Sequence, residues 1–383
     1  MEGNGNKNLS LATLFSIACV WFGSHVGGGF ATGNQTWQYY ASWGWISIIT
    51  PVLSMGLLAL VLRQAVVFAQ AHQAYAYDEF FKKLWAPYPK LELIFEVYFV
   101  IILLVAVGVA IAGAASLFVE YIPYTAAAVL TGLILFFTTI FGANVMRRAA
   151  TFMCIIILLA CALIFGIGIA AQSANIAPVL TETELPSGAW PPLYRIFVYA
   201  GFQAVVLPAF IACTREVKTA KSANTVTFLG FLMNGGYLTL GVLLLLIWQG
   251  QGGINFAAIT LPNLEICNAL GGGWLYWCYF VTLFLAFIST GVSCIFGMVA
   301  RLENKIFTKS AGLFANITMR RALISALVML ASVSLSLFGL TALVRYGYGL
   351  CGYIGIFAVI LPILIIGTVK INRYKKEHPE FMR

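Results

Sequence analysis

Charged residues are scarce in this chain of 383 residues, since Asp, Glu, Lys and Arg together make up only 9% of it. Soluble domains carry about 25% charged residues, which cover their water-facing surface. The hydrophobic share is 61%, well above the roughly 45–50% of soluble proteins. This composition excludes a soluble enzyme and a disordered chain, and it predicts a membrane protein that crosses the bilayer several times.

Motifs for chemistry are also missing. The chain contains no Walker sequence for ATP phosphates and no HExxH zinc motif. Its eight cysteines form no CxxC pair, and no Asp or Glu falls in the middle third of any predicted span. We therefore expect neither an enzyme nor a protein with a bound cofactor, and ATP is not the expected energy source.

Ten continuous apolar runs predict ten membrane-spanning helices, because a span needs roughly 20 apolar residues and the strands of a barrel would alternate instead. The runs are 10–41, 44–68, 92–118, 124–142, 149–171, 193–214, 223–249, 273–299, 320–341 and 344–369. The predicted fold class is all-α, with residues 1–383 forming one membrane domain.

Basic residues indicate how the spans are oriented, because Lys and Arg collect in cytoplasmic loops. If the N-terminus is inside, all 22 Lys and Arg fall on the inner side except Arg195 and Arg345. The net charge of +9 then reports this bias, and nucleic-acid binding is not needed to explain it. We predict a multi-pass protein of the cell membrane with both termini in the cytoplasm.

Spans 1–5 and spans 6–10 can be compared as two halves. The long loops 69–91 and 250–272 then each follow the second span of their half, and they are predicted to lie on opposite sides of the membrane. This arrangement is typical of an inverted repeat, whose halves would cover about 10–171 and 193–369. Transporters built in this way bind their solute near the membrane midplane, between interrupted spans of matching rank. Interruptions are therefore expected in spans 1 and 6.

Span 1 contains the consecutive glycines Gly27, Gly28 and Gly29 near its middle. Each costs about 1 kcal/mol in a helix relative to alanine, and unwound backbone inside a membrane needs a ligand, an ion or a wet cavity. The alternative is close helix packing through small residues. Span 6 holds Gly201, Gln203 and Pro208 within eight residues. A hydrogen bond between helices is the better explanation of Gln203 alone, but together with the interruption of span 1 the pattern favours a role in the cavity.

Ser289 and Thr290 are adjacent in the middle of span 8. Their oxygens are hard ligands suited to an alkali cation. The alternative is that both hydroxyls bind their own helix backbone, which is common. The pair alone does not decide between the two.

Aromatic residues at two places predict contacts with the membrane surface. Residues 37–45, at the outer end of span 1, are rich in Trp and Tyr and are predicted interface anchors, of which one or two could form an outer lid. The stretch 78–85 is predicted to lie in the interface, with Phe80, Phe81 and Trp85 among the headgroups. Glu96, near the inner end of span 3, is expected to meet basic residues of the inner side.

The ten-span layout, the interrupted spans 1 and 6 and the hydroxyl pair of span 8 resemble the LeuT-type fold of the amino acid–polyamine–organocation superfamily. The segment 26–35, VGGGFATGNQ, is similar to the first-span signature of the YkvI-type membrane proteins. That family is mostly uncharacterised and is classed with amino-acid permeases.

The resemblance implies a sodium site between spans 1 and 8 and a substrate pocket between spans 1 and 6. The implied sodium ligands are the carbonyls of Gly23, Val26 and Ala286 and the hydroxyls of Ser289 and Thr290. The implied substrate-binding residues are Gly27, Gly28, Gly29, Ala200, Gly201 and Phe202, together with His25 and Gln203, which replace residues that are commonly small in the fold.

The predicted function is secondary active transport of a small polar organic solute, an amino acid or a related amine, by alternating access with sodium as coupling ion. A proton-coupled carrier of the same fold that uses His25 is the first alternative, because histidine titrates near physiological pH. A channel, a receptor or a membrane-embedded enzyme is the alternative from another class. The expected partners are the solute and the lipid bilayer, and the sequence leaves the oligomeric state open.

Overall fold

The computed structural model describes residues 9–141, 143–181, 190–306 and 317–382, and all regular secondary structure in these ranges is helical. The α-helices of the first half are α1 (Leu11–His25), α2 (Gly28–Ala31), α3 (Asn34–Tyr39), α4 (Thr50–His72), α5 (Tyr77–Trp85), α6 (Glu92–Leu117), α7 (Tyr124–Phe141), α8 (Ala143–Ala171) and α9 (Ile176–Thr181). Those of the second half are α10 (Trp190–Gln203), α11 (Leu207–Ala212), α12 (Ala220–Trp248), α13 (Pro262–Ala269), α14 (Gly273–Ile306), α15 (Ile317–Ser336), α16 (Leu340–Ala342), α17 (Tyr348–Gly355) and α18 (Thr368–Glu377). The all-α prediction is confirmed.

Seven helical segments within the described ranges are long and apolar enough to cross a membrane. They are Trp45–His72, Pro89–Leu117, Trp190–Ala212, Ala220–Trp248, Gly273–Val299, Met319–Ser336 and Leu340–Glu377. An eighth span would be the bent pair Ile155–Ala171 and Ser173–Thr181, whose axes differ by 74°. The apolar helices Leu11–His25 and Tyr124–Thr139 are shorter and coincide with predicted spans 1 and 4. The count of ten spans stays a prediction.

The core lies between helices from the two halves of the chain, with α6 packed along α14 and both α1 and α4 along α12. Trp21, Phe68 and Tyr98 are fully buried there. The outward-facing surface is apolar as well, since Phe152 and Leu330 are 67% and 70% exposed. Apolar residues on both faces are what a helix needs when its outer face contacts lipid.

Helices α10 and α17 approach so closely that their glycines meet the facing backbone. A Cβ atom added to Gly355 would lie 2.0 Å from the carbonyl oxygen of Gly201, and one added to Gly352 would lie 2.3 Å from that of Val198. No side chain fits at such distances. Small residues allow this close packing in many pairs of membrane helices.

Replacing Gly355 with alanine is expected to lower the thermal unfolding temperature in detergent, because the added methyl group would push α10 and α17 apart. Overpacking of this kind costs about 1–3 kcal/mol. Gly236→Ala in α12 is the matched control, since its added Cβ would meet nothing within 4 Å and alanine favours a helix by about 1 kcal/mol. Equal unfolding temperatures for the two variants would contradict the close contact.

Helix α5 packs its apolar face against the protein, while Lys82 and Lys83 on its other face are exposed. Phe80 and Phe81 are fully buried, so the prediction that they lie among the headgroups is wrong. At the end of the helix, Lys370 donates hydrogen bonds to the carbonyls of Lys83 and Ala86, at 2.7 and 2.9 Å. These contacts fix α5 against α18.

The predicted meeting of Glu96 with a basic residue is confirmed, and that this residue lies on the inner side stays a prediction. The Nε of Arg301 lies 3.1 Å from the carboxylate of Glu96 and donates to the hydroxyl of Tyr77 at 2.7 Å. The Arg301 guanidinium also covers the rings of Tyr77 and Phe99, at 3.6 and 3.8 Å from their centroids. This cluster ties the start of α5 to α6 and α14.

Cysteine labelling tests the orientation of the spans. Thr181, at the end of α9, is predicted to lie outside, and Lys221, in the first turn of α12, inside; both are exposed. In a cysteine-free background, Thr181→Cys is expected to react with an impermeant maleimide added to intact cells, whereas Lys221→Cys should react only after permeabilisation. Labelling in the reverse order would overturn the predicted orientation.

Candidate functional site

The first apolar run is interrupted at Val26 and Gly27. Helix α1 ends at His25, Val26 has φ −83° and ψ 84°, and Gly27 is extended with φ −109° and ψ −173°. Helix α2 then begins at Gly28. The interruption falls at the glycine triplet, where the low helix propensity of glycine reduces the cost of unwinding. That α1 and α2 are two halves of one span stays a prediction.

Two backbone N–H groups at the interruption leave the regular hydrogen-bond pattern of α1. The N–H of Gly27 donates to the carbonyl of His25 at 3.0 Å, and that of Gly28 donates to Oγ1 of Thr290 at 3.2 Å. A Cβ on Gly27 would lie 3.2 Å from Oγ1 of Thr290, and one on Gly28 would lie 2.5 Å from the ring of Phe287. The glycines therefore allow α14 to approach the interruption.

Three carbonyl oxygens lose their donors as a result. In a continuous helix the N–H groups of Gly27 and Gly28 would bind the carbonyls of Gly23 and Ser24. These two carbonyls and that of Val26 accept no hydrogen bond from any residue in the described part of the chain. Lipid cannot satisfy them, so they are available to a cation or a polar solute.

The five predicted sodium ligands lie at the end of α1 and in the middle of α14. Gly23 and Val26 supply unpartnered carbonyls, and Thr290 contacts the interruption directly. Ser289 is half-buried with a hydroxyl that forms no hydrogen bond to the described residues, and Ala286 is fully buried. The assignment of the five to a single site stays a prediction.

A cavity of about 100 Å³ lies beside the interruption. Of the predicted site residues, it is lined by His25, Gly27, Gly28, Gly29, Phe202, Gln203 and Thr290. The other lining residues are Ser24, Phe30, Gln35, Ile102, Leu103, Ala106, Val205, Cys294 and Tyr348. Since none of these side chains is an acid, a lysine or an arginine, the described lining of the cavity carries no fixed charge.

Span 6 is not unwound in the way that span 1 is. Helix α10 continues through Gln203, and a 3-10 turn at Ala204–Val206 joins it to α11. The hydroxyl of Tyr98 bridges the carbonyls of Gly201 and Phe202, at 2.9 and 3.0 Å. Tyr98 thus supports the backbone where the α-helix changes to a tighter turn, while a full interruption of span 6 stays a prediction.

The four predicted binding residues of α10 differ in position. Phe202 and Gln203 line the cavity, whereas Ala200 and Gly201 are buried and are not part of its lining. A Cβ on Gly201 would lie 2.2 Å from the carbonyl oxygen of Gly352. Gly201 therefore packs against α17, and the side chains of Phe202 and Gln203 are the ones placed to contact a solute in the cavity.

His25 is buried and hydrogen-bonded through both ring nitrogens. Its Nδ1 lies 2.6 Å from Oδ1 of Asn234, and its Nε2 lies 2.7 Å from the hydroxyl of Tyr199. The amide nitrogen of Asn234 donates to the carbonyl of Gly230, so its oxygen faces His25 and Nδ1 carries a proton. Gln35 donates to the hydroxyl of Tyr199 at 2.6 Å, which leaves the Tyr199 proton to bind Nε2. All these contacts are satisfied when His25 is neutral.

Five buried aromatic side chains form a layer beside the cavity, here called the aromatic layer: Tyr39, Tyr40, Tyr199, Phe202 and Tyr348. The ring of Tyr199 lies 4.9 Å from those of Tyr40 and Phe202, and Phe202 stacks on Tyr348 at 4.7 Å. In the predicted orientation this layer lies on the outer side of the cavity. Tyr39 and Tyr40 are fully buried. Their position therefore favours the prediction that they form an outer lid over the prediction that they are anchors at the membrane interface.

Gln35, Tyr199 and Asn234 are site residues that the sequence alone does not predict. Gln35 stands inside the signature segment, and Asn234 is a polar residue in an apolar span, which by itself indicates a functional or structural contact. Nothing distinguishes Tyr199 from the other tyrosines in the sequence.

Solved structures similar to this chain are transporters with the LeuT-type fold. The manganese transporter of Eremococcus coleocola matches with a TM-score of 0.57 at 13% identity, over 99% of this chain and 90% of that one. MhsT in complex with L-phenylalanine matches with a TM-score of 0.60 at 14% identity, over 94% and 97% of the two chains. At such low identity the likeness shows the fold alone, which is LeuT-type.

The chain is 23% identical over 351 residues to the uncharacterized membrane protein YkvI of Bacillus subtilis, covering 88% of this chain and 94% of YkvI. The predicted resemblance to YkvI-type membrane proteins is thereby confirmed. No protein-family model matches the chain. The compared proteins are membrane proteins, and those with a named activity are transporters, in agreement with the prediction that this chain is not an enzyme.

Proposed function

We propose that the protein is a secondary active transporter that carries a small polar organic solute, an amino acid or a related amine, by alternating access with sodium as coupling ion. The fold is shared with known transporters, one of which, MhsT, is solved with L-phenylalanine. The observation that supports this best is the uncharged cavity beside the interruption after α1, where backbone groups lack partners.

The cavity offers both donors and acceptors to a small solute. The N–H groups of Gly29 and Phe30, two lining residues, donate no hydrogen bond within the described ranges. Gln35 and Gln203 add side-chain amides, and amide oxygens accept hydrogen bonds from an ammonium group, as amide N–H groups donate to a carboxylate. A volume of about 100 Å³ holds roughly three water molecules, which favours a solute of few atoms.

Sodium coupling is supported by the oxygen atoms at the interruption. Hard cations prefer carbonyl, hydroxyl and carboxylate oxygens. The unpartnered carbonyls of Gly23 and Val26 face no competing donor among the described residues, and Ser289 and Thr290 add hydroxyls on α14. Thr290 already accepts from the N–H of Gly28, and its oxygen has a second lone pair for a cation.

A manganese cargo, such as that of the structural neighbour, is not favoured by this cavity. Manganese is suited to carboxylate, carbonyl and water ligands, and no Asp or Glu lines the cavity. Among the residues that the structure describes, no group of three or more His, Cys, Asp or Glu could hold a metal ion. An organic solute fits the lining better.

Proton coupling through His25 has less support than sodium coupling. A second proton would turn Nε2 into a donor, although the hydroxyl of Tyr199 is oriented to donate to it. The Tyr199 proton would then need a new acceptor, while Gln35 already donates to the same oxygen. The neutral form is therefore the one that the surrounding contacts satisfy.

A thermal-shift screen of the purified protein against amino acids, amines and nucleobases, with sodium or choline at equal ionic strength, tests the proposed solute class. A ligand at 100 times its Kd stabilises the folded state by about 2.7 kcal/mol. We expect the largest shift from a small amino acid or amine, and a larger shift in sodium than in choline. A shift from manganese or nucleobases with none from amino acids or amines would contradict this solute class.

Counterflow in proteoliposomes separates a carrier from a channel. Liposomes preloaded with unlabelled solute are expected to take up labelled solute faster than empty ones, because alternating access returns a loaded site across the membrane. Flux that is indifferent to the internal solute would favour a channel.

A further inference from the structure

Arg195 is a buried charge that has no carboxylate partner among the residues that the structure describes. Its side chain is 9% exposed, and it forms no ion pair or hydrogen bond with the residues that the structure describes. Its guanidinium instead lies over aromatic rings, 5.4 Å from the centroid of Tyr39, 5.5 Å from that of Tyr194 and 6.0 Å from that of Trp43. Burial of an unpaired charge is unfavourable, and the rings offset only part of this cost.

The part of this guanidinium that is accessible to a ligand is the end with the two terminal nitrogens. Its Nε is enclosed without a hydrogen-bond partner, whereas the two terminal nitrogens are not enclosed. Two parallel N–H groups of this kind bind both oxygens of a carboxylate. Because the aromatic rings already fix the guanidinium, its side chain loses little conformational entropy when an anion binds.

Arg195 stands directly outside the proposed solute site. Arg195, Tyr199 and Gln203 are spaced four residues apart on α10 and so share one face of the helix. The ring of Tyr39 lies 5.4 Å from the guanidinium and 5.2 Å from the ring of Tyr199. A single aromatic ring therefore separates Arg195 from Tyr199, which binds the cavity residue His25.

We propose that Arg195 captures the carboxylate of the incoming solute at the outer face of the aromatic layer. Since this rests on the proposed transport function, it narrows the solute to a molecule with a carboxyl group, an amino acid rather than its decarboxylated amine. A fixed positive charge beside the entrance raises the local concentration of such a solute. When Tyr39 moves aside, the carboxylate passes from Arg195 to the unpartnered N–H groups beside Gly29.

The test uses the full-length protein in proteoliposomes of phosphatidylcholine and a radiolabelled mixture of the twenty common amino acids. In Arg195→Gln, the apparent KM is expected to rise at least about tenfold with little change in maximal rate, because a charge-assisted hydrogen bond is lost. Arg195→Lys keeps the charge without the fork and should fall in between. Inhibition of uptake by the corresponding amines should be the same in wild type and Arg195→Gln.

The other arginine of the predicted outer side is the matched control. Arg345 is exposed and lies over Tyr346, so Arg345→Gln should leave the KM unchanged. Arg195→Gln should unfold at the same or a higher temperature than wild type, because it removes an unpaired buried charge. A normal KM in this variant, or a KM shift in Arg345→Gln instead, would overturn the assignment while leaving the transport function intact.

Two further outcomes separate the capture of solute from other roles. If Arg195→Gln changes uptake only in liposomes that contain phosphatidylglycerol, the residue binds a lipid phosphate and the assignment is wrong. If the wild type takes up no amino acid at all, the proposed solute class fails, and the role of Arg195 fails with it.

Discussion

Replacing both Ser289 and Thr290 with alanine is expected to raise the sodium concentration for half-maximal transport by at least an order of magnitude. The two hydroxyls are two of the five proposed oxygen ligands, and loss of a buried polar partner costs about 1–3 kcal/mol. Since about 1.4 kcal/mol is a factor of ten in affinity, the double variant should lie well outside experimental error. Initial rates of solute uptake at increasing sodium measure the shift.

The matched control is Ser293→Ala, which removes an exposed hydroxyl one turn further along the same helix and should leave sodium dependence unchanged. Ser289→Ala alone is informative as well, because Thr290 also accepts a hydrogen bond from Gly28 and its loss would disturb the interruption itself. Normal sodium dependence in a folded double variant would place the ion elsewhere. A wild type that is indifferent to sodium would favour the proton-coupled alternative.

The interruption after α1 could be predicted because its cause is local. Three consecutive glycines lower helix propensity wherever they occur, and Gly27–Gly29 lie within a run that is otherwise long enough to span. The structure adds the reason why these positions are glycine, since side chains at Gly27 and Gly28 would meet Thr290 and Phe287. Such contacts join residues more than 250 positions apart, and no local pattern in one sequence reveals them.

Gly201 shows the limit of the same reasoning. Glycine indicates a flexible backbone or a close neighbour, and the resemblance to the LeuT-type fold implies that Gly201 lies in the solute pocket. Its neighbours are in fact Gly352 and Gly355 of α17. A glycine motif can be recognised in span 10, but its partner helix follows only from the folded arrangement.

The misplacement of α5 has a similar physical origin. A helix with Phe80 and Phe81 on one face and charges on the other satisfies the pattern of an interfacial helix and also that of a helix packed on a core. The pattern specifies that one face is shielded from water and says nothing about what shields it. The contacts of Lys370 with the end of the helix indicate that α5 packs on the protein and does not lie among the lipid headgroups.

His25→Gln is expected to retain much of the transport activity and to leave its pH profile unchanged. Glutamine keeps one donor for Oδ1 of Asn234 and one acceptor for the hydroxyl of Tyr199, which are the two roles of the neutral imidazole. It cannot carry a proton. If His25 couples protons instead, the variant should still exchange solute across the membrane but should lose proton-driven accumulation, and this outcome would overturn the sodium proposal.

His25→Ala is expected to lose most activity and to unfold at a lower temperature. It leaves two buried groups, Oδ1 of Asn234 and the hydroxyl of Tyr199, without their partner, at about 1–3 kcal/mol for each. His72→Ala at the end of α4 is the comparison, since no hydrogen bond joins the ring of His72 to the described residues and transport should persist. Tyr199 connects His25 to Gln35 and the aromatic layer. Loss of the hydrogen bond between Tyr199 and residue 25 should therefore loosen the outer end of the cavity and raise the KM for the solute. Full activity in both His25 variants would mean that the hydrogen bonds of His25 with Asn234 and Tyr199 have no role in transport and that the solute binds elsewhere.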